Sequence, residues 1–154
     1  MILVITVAVV TVIFHALIAS WLSKSYNLTI PSMGTIYVTG VEAYGGDINS
    51  ANGSLIVDWG VIQVGSSNSV SFYLRSVSSV PVTIALSADN WVPQSIESFM
   101  PVSWNYTGNQ IAPGEEISVR IDLKTTTTSA FVDYLVSNKV TSFSFSLNIR
   151  SVQS

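Results

Sequence analysis

The chain has 154 residues, of which 48% are hydrophobic and only 10% are charged, and it contains no cysteine and one histidine. A disordered protein needs low hydrophobicity and high charge, so that class is excluded. Six Lys and Arg residues against nine Asp and Glu residues do not supply the basic surface of a nucleic-acid-binding protein. Without cysteine, disulfides, zinc–thiolate sites and iron–sulfur clusters are impossible. The length is sufficient for one domain that buries its own core.

The N-terminal segment Met1–Ser23 carries no charged side chain, and the first charge is Lys24. A helix of this length, rising ~1.5 Å per residue, would cross a hydrocarbon core of ~30 Å. Its β-branched residues favour strand in water, but in lipid a helix satisfies every backbone group internally. A cleaved signal peptide is disfavoured because no basic side chain precedes the apolar stretch and because that stretch is long. Residues 1–28 are therefore predicted to form one long hydrophobic helix, which either anchors the protein in a membrane or packs in the core of a filament.

Beyond a short linker at residues 29–34, the hydrophobic period changes from helical to two. Phe143, Phe145, Leu147 and Ile149, for example, alternate with Ser and Asn residues, which indicates a strand with one buried and one wet face. Seven strands are predicted, at Thr35–Tyr44, Ser54–Val64, Asn68–Val77, Val80–Ala88, Phe99–Asn105, Glu116–Lys124 and Val140–Arg150. The predicted fold class is mainly β: an immunoglobulin-like antiparallel β-sandwich at residues 35–154, preceded by the long hydrophobic helix.

One segment of the predicted sandwich does not follow the strand pattern. Within Ser129–Asn138, the side chains Phe131, Tyr134 and Leu135 are spaced as one face of a short helix. The three tryptophans beyond the N-terminal segment, Trp59, Trp91 and Trp104, could stack on sugars if they were exposed. We expect them instead in the core, with each indole N–H bonded to a backbone carbonyl.

Few side chains suit catalysis or metal binding. His15, the only histidine, lies within the apolar segment, where we expect a structural role. The carboxylates are scattered, and no two are paired in sequence as glycoside hydrolysis requires. The oxygen-rich loop Asp47–Gly53 lacks the spacing and the bidentate Glu of a calcium loop, so it is interpreted as a turn. We predict no catalytic residue, no metal ligand and no cofactor site, and we do not expect an enzyme.

The part of the chain beyond Lys24 is rich in Ser, Thr and Asn, which is typical of an extracellular surface. Three Asn-x-Ser/Thr sequons occur, and a run of threonines offers sites for hydroxyl-linked glycans or forms a plain polar loop. The candidate glycosylation sites are Asn27, Asn52, Asn105, Thr125, Thr126, Thr127 and Thr128. An extracellular or cell-surface location is expected.

Several segments carry a resemblance to a known group. They are Asp58–Ser67, Val80–Leu86, Asn90–Pro93, Ser103–Gly108 and Pro113–Glu115. In these segments the chain resembles archaeal secreted or membrane-tethered β-sandwich proteins that have a hydrophobic N-terminal helix. The layout is also similar to that of archaeal type IV pilins and archaellins, whose helices form the filament core and whose sandwiches form its outer, often glycosylated, surface. A short basic leader ending in Gly, typical of pilin precursors, is not visible here, so the sequence either begins after processing or describes a plain anchor.

The expected function follows from this layout. The chain is predicted to be a structural subunit of an extracellular filament, with copies of itself as partners and the N-terminal helix in the filament core. The alternative is a monotopic membrane-anchored envelope protein whose sandwich binds a surface layer, a glycan or an appendage component. A third variant is strand donation between sandwiches, for which Ser25–Ile36 is the candidate donor.

Overall fold

The computed structural model describes residues 28–153, and these residues form nine strands in two sheets. The strands are β1 Thr29–Thr39, β2 Val41–Tyr44, β3 Ile48–Ala51, β4 Ser54–Gln63, β5 Ser67–Ser76, β6 Val82–Val92, β7 Val102–Trp104, β8 Glu116–Lys124 and β9 Phe143–Gln153. A 3₁₀ helix, Gln94–Phe99, links β6 to β7, and an α-helix, α1 Ser129–Ser137, links β8 to β9.

The first sheet has the strand order β3-β4-β1-β9-β6, and the second has the order β2-β5-β8-β7. Among the paired strands, β1 and β9 are parallel and the other pairs are antiparallel. Alternate side chains of both sheets turn inward and form one apolar core. Val57, Phe72, Leu74 and Leu147 are completely or almost completely buried there.

Between β1 and β2 the chain passes from the first sheet to the second, and Gly40 is the one residue that separates these two strands. This glycine has φ of 75°, a left-handed conformation that other residues rarely adopt. A Cβ at this position would also lie 1.9 Å from Oγ of Ser151. The predicted strand Thr35–Tyr44 is therefore divided here into two strands that belong to different sheets.

The short helix predicted within Ser129–Asn138 is confirmed as α1. Its Phe131 and Leu135 are buried in the core, as their spacing by four residues on one helix face requires. The ring of Phe131 stacks on Phe99 with centroids 5.0 Å apart, so α1 packs against the segment that leads into β7.

The predicted arrangement of strands was wrong in two respects. The described residues form nine strands instead of seven, and the parallel pairing of β1 with β9 means that the fold is not wholly antiparallel. Strand β3 was missed because its four residues include Asn49 and Ser50, which are typical of turns. Strand β1 begins at Thr29, so residues 29–34 are strand and not linker. Pro31 pairs with Val61 of β4 but precedes Ser32, the first residue of β1 that pairs with β9, so its missing N–H is not needed on the β9 side.

The long hydrophobic helix in the predicted fold class is also corrected. Within residues 28–153 the only α-helix is the nine-residue α1, and no helix there has the length and apolar character needed to span a membrane. The physical reason is that apolar residues in this part of the chain alternate with period two, which favours strands. Residues 1–27, on which the helix prediction falls, lie outside the described residues.

Candidate functional surfaces

The outer face of the second sheet carries a cluster of aromatic and charged side chains, which we call the tyrosine clasp: Glu42, Tyr44, Tyr73, Arg75 and Glu116. Register places Glu42 opposite Arg75 and Arg75 opposite Glu116, with Tyr44 opposite Tyr73 in the next row. Because β5 lies between β2 and β8, these contacts join three neighbouring strands. The clasp holds the four-residue edge strand β2 against the sheet.

Side-chain contacts in the clasp are mostly charge-assisted. Nη2 of Arg75 donates to Oε2 of Glu42 at 2.5 Å, and the Arg75 guanidinium lies 5.5 Å from the Tyr44 ring centroid. The Tyr44 hydroxyl crosses β5 and donates to Oε2 of Glu116. The rings of Tyr44 and Tyr73 stack with centroids 6.1 Å apart.

Two groups in the clasp have shifted acidities. The hydrogen bond to the Glu116 carboxylate, together with partial desolvation and the Glu116 charge, raises the pKa of Tyr44 above its ordinary value. The hydrogen bond and charge of Glu42 raise the pKa of Arg75. Tyr73 remains 43% exposed, so it presents a ring beside a guanidinium and carboxylates, a combination that can stack on and hydrogen-bond a sugar.

The outer face of the first sheet is chemically different. Its exposed positions are mainly hydroxyl and amide side chains, but several are apolar or aromatic, among them Tyr37, Val61 and Val152. Two further apolar residues are Met33 (55% exposed) and Val92 (62% exposed). These two residues lie in one cross-strand row on either side of Ser144. They line a groove of about 470 Å³ together with Pro31 and Phe143. The groove thus opens close to Thr29, where β1 begins.

Two of the three tryptophans that were predicted to lie in the core do lie there. Trp59 and Trp91 are 3% and 5% exposed, which confirms the core interpretation for both and removes them as a sugar platform. Trp104 is half-buried, with Tyr106 at its edge. The expected indole–carbonyl bonds were wrong, however, since Nε1 of Trp59 and of Trp91 has no hydrogen-bond partner among the described residues.

The candidate asparagines differ in their surroundings. Asn52 and Gly53 form a two-residue turn between β3 and β4 with φ of 52° and 79°, the pattern of a type I′ hairpin. Asn52 is exposed there. Asn105 is also exposed, and its Oδ1 accepts a hydrogen bond of 2.8 Å from the backbone N–H of Arg120. Asn27 lies outside the described residues.

The four candidate threonines are not equivalent either. Thr125 is buried, and its hydroxyl donates to the Gln63 carbonyl at 2.8 Å and accepts from the Ser66 N–H at 3.0 Å. These bonds argue against a glycan at Thr125. Thr126 is half-buried, whereas Thr127 and Thr128 are exposed on the approach to α1.

The segment Asp47–Gly53, interpreted from the sequence as a turn, is instead two turns separated by strand β3, Ile48–Ala51. The first of these turns ends at Asp47. Its carboxylate accepts the backbone N–H of Ser71 at 2.8 Å, and its own N–H donates to the Ser71 carbonyl at the same distance. In residues 28–153 no three His, Cys, Asp or Glu side chains converge as metal ligands would.

A comparison with protein families found no matching family, and a comparison with curated proteins found no relative.

Proposed function

We propose that this protein is a structural subunit of an extracellular filament. In this proposal the apolar segment Met1–Ser23 packs in the filament interior and the two-sheet domain forms the outer surface. The absence of charged side chains from this segment supports its burial against copies of itself, and its small and β-branched residues permit close packing. The Ser-, Thr- and Asn-rich domain supports exposure to solvent.

The observation that carries the proposal is the position of β1. This strand begins at Thr29, with five residues between it and the end of the apolar segment, and it is the central strand of the five-stranded sheet. Its residues are in register with β4 from Thr29 to Ile36 and with β9 from Ser32 to Thr39. A force applied through the N-terminal segment is therefore resisted by two ladders of backbone hydrogen bonds, which suits a subunit under tension in a filament.

The groove beside Met33 and Val92 adds a second support. An apolar surface at the end of the domain where the apolar segment enters is suited to contact with the apolar segment of a neighbouring subunit. Contiguous exposed apolar surface can mark an interaction site. The position of Pro31 in the same groove, two residues into β1, keeps this contact next to the filament interior.

The experiment is electron microscopy of native surface material from cells that produce the full chain, with two matched variants. Met33→Glu places a charge in the groove, and we expect filaments to be lost. Thr39→Glu places the same charge on the same face at the other end of β1, opposite Arg150, and we expect filaments to remain. Recovery of the wild-type protein only as monomers in detergent extracts, at every concentration, would contradict the proposal.

The second candidate is a membrane-anchored envelope protein whose domain binds a surface glycan, surface layer or appendage component. The observation that favours it is the exposed ring of Tyr73 beside Arg75 in the tyrosine clasp. Retention of the full chain on isolated surface-layer and polysaccharide preparations tests this function. Loss of retention in Tyr73→Ala but not in Tyr37→Ala, which removes an exposed tyrosine from the other sheet, would support glycan binding; equal retention would exclude the clasp as the binding surface.

A further inference from the structure

Strand β6 forms one edge of the five-stranded sheet, and part of this edge is already covered. The N–H and carbonyl of Val82 both bond to Ile111, at 3.0 and 2.8 Å. The N–H of Ile84 donates to the Tyr106 hydroxyl at 3.3 Å. Val82 and Ile84 therefore direct their backbone groups away from β9. Because this direction alternates along an antiparallel strand, Leu86 and Ala88 direct theirs away from β9 as well.

The part of the edge at Leu86 and Ala88 is open. Within residues 28–153 nothing bonds to their outward N–H and carbonyl groups. A groove of about 250 Å³ runs beside them and is lined in part by Met100 and Val102. Exposed edges are usually protected by lysine, proline, a bulge or a covering segment. β6 contains neither lysine nor proline, and its bulge lies between Asp89 and Val92, beyond Leu86 and Ala88. This edge is thus competent to pair with another strand.

Two side chains near the open edge carry complementary charges. Asp89 is held in place by the amides of Asn90, at 2.9 Å, and Asn148, at 2.7 Å. Its carboxylate oxygens retain lone pairs for a further donor. Arg150 is exposed and opposite Ala85 in the pairing of β6 with β9. It makes no ion pair with any described residue.

We propose that β6 pairs antiparallel with β6 of a second copy, about a two-fold axis at Ser87. In this register the outward N–H and carbonyl of Leu86 in each copy bond to the outward carbonyl and N–H of Ala88 in the other copy. Backbone hydrogen bonds therefore form on both sides of the axis. The two five-stranded sheets become one continuous sheet. The pairing does not involve the N-terminal segment, so it goes beyond the filament proposal and stands independently of it.

The charges favour a second copy as the occupant. The two-fold register places Asp89 of one copy opposite Ala85 of the other. Because Ala85 is short, Arg150 on the adjacent strand can reach across it to Asp89 of the second copy. Two such ion pairs form by symmetry, and the axis itself passes between two small, neutral Ser87 side chains. The same surface therefore complements itself in charge as well as in hydrogen bonding.

Cross-linking tests the register directly, since the chain has no cysteine. Opposed residues of a non-hydrogen-bonded antiparallel pair have Cα atoms ~4.5 Å apart, within the ~4.4–6.8 Å range of disulfides. The full-length Ser87→Cys protein, in detergent under mild oxidation, should yield about tenfold more disulfide-linked dimer than Thr39→Cys. The control is exposed on the same outer face but lies on β1, away from the groove at Met33. Equal yields from the two variants would overturn the proposal.

Charge reversal tests the predicted ion pairs in the same assay. Arg150→Asp in the Ser87→Cys background should lower the yield of dimer several-fold, and Asp89→Arg combined with Arg150→Asp should restore it. The amides that hold Asp89 belong to Asn90 and Asn148 and not to Arg150. The single variant therefore leaves those hydrogen bonds in place and is informative even if the double variant folds poorly. A dimer yield that does not change in Arg150→Asp would contradict the two-fold register at Ser87.

Discussion

The rings of Trp91 and Phe145 stack with centroids 4.1 Å apart and planes 7° from parallel. Trp59 stacks on Phe145 as well, with centroids 5.7 Å apart. Both tryptophans occur where the register between two paired strands shifts by one residue. Trp59 is the extra residue of β4 in its pairing with β1. Trp91 lies in the irregular part of β6 in its pairing with β9. Two bulges thus place two indoles on one phenylalanine.

Removing the shared ring should destabilise the whole domain. We expect Phe145→Ala to lower the free energy of unfolding by about 3–5 kcal/mol, because it leaves a cavity between two indoles. Phe145→Leu should cost less, since it refills part of that volume. Urea unfolding followed by tryptophan fluorescence measures both. An alanine variant within about 1 kcal/mol of wild type would show that the stack contributes little.

Gly34 should be intolerant of even a methyl group. A Cβ there would lie 2.9 Å from Nε1 of Trp59, so we expect Gly34→Ala to cost about 1–3 kcal/mol through overpacking. Trp59→Phe removes the atom that clashes, and the two substitutions should therefore be coupled in a double-mutant cycle. Additive losses in urea unfolding would rule out this contact as the cause.

Tyr44 should titrate above the ordinary tyrosine pKa of 10.0. Its folded-state pKa is raised, so the stability it contributes is complete below about pH 10 and is lost as the pH rises through the folded-state value. The difference between ultraviolet titrations of wild type and Tyr44→Phe isolates this group. Glu116→Gln should shift the Tyr44 midpoint down toward the ordinary value, and an unchanged midpoint would show that Glu116 is not the cause.

The Thr125 hydroxyl should matter more to stability than its neighbours. Thr125→Val removes the buried hydrogen bond to the Gln63 carbonyl. We therefore expect the free energy of unfolding to fall by about 1 kcal/mol. Thr127→Val, at an exposed position, is the matched control and should be close to neutral. Thermal unfolding of both variants provides the comparison, and equal melting temperatures would contradict a structural role for Thr125.

Occupancy of the Asn52 sequon can be tested without altering its turn. Asn52 has positive φ, so replacing it would strain the hairpin as well as remove the glycan site. Ser54→Ala removes the sequon and leaves Asn52 and Gly53 in place. We expect a loss of glycan mass in protein from its native host, measured by intact-protein mass spectrometry. A mass that falls only by the one oxygen atom lost in the substitution would show that Asn52 carries no glycan.

Strands with one buried and one wet face were the easiest part of the fold to predict. The bounds Glu116–Lys124 of β8 are those expected from the alternation of Ile117, Val119, Ile121 and Leu123. Helix α1 was also predicted from a periodic pattern, because the spacing of Phe131, Tyr134 and Leu135 by three and four residues fits one face of a helix and not the period of two of a strand. The local sequence pattern was sufficient to predict an element wherever buried and exposed positions recur with a regular period.

Other features depended on contacts between residues distant in sequence. The tyrosine clasp requires the register of β2, β5 and β8, since Tyr44 and Glu116 are separated by 72 positions. The division at Gly40 depends on the close approach of Ser151. The strand at residues 29–34 was interpreted as a linker because Pro31 and Gly34 are typical of turns, whereas the structure uses Gly34 to admit the Trp59 indole.

The parallel pairing of β1 with β9 has a consequence for biosynthesis. The first described strand cannot occupy its place between β4 and β9 until β9, which ends at Gln153, has been synthesised. Contacts of such high sequence separation fold slowly. The five-stranded sheet should therefore remain incomplete in the nascent polypeptide until β9 has left the ribosome.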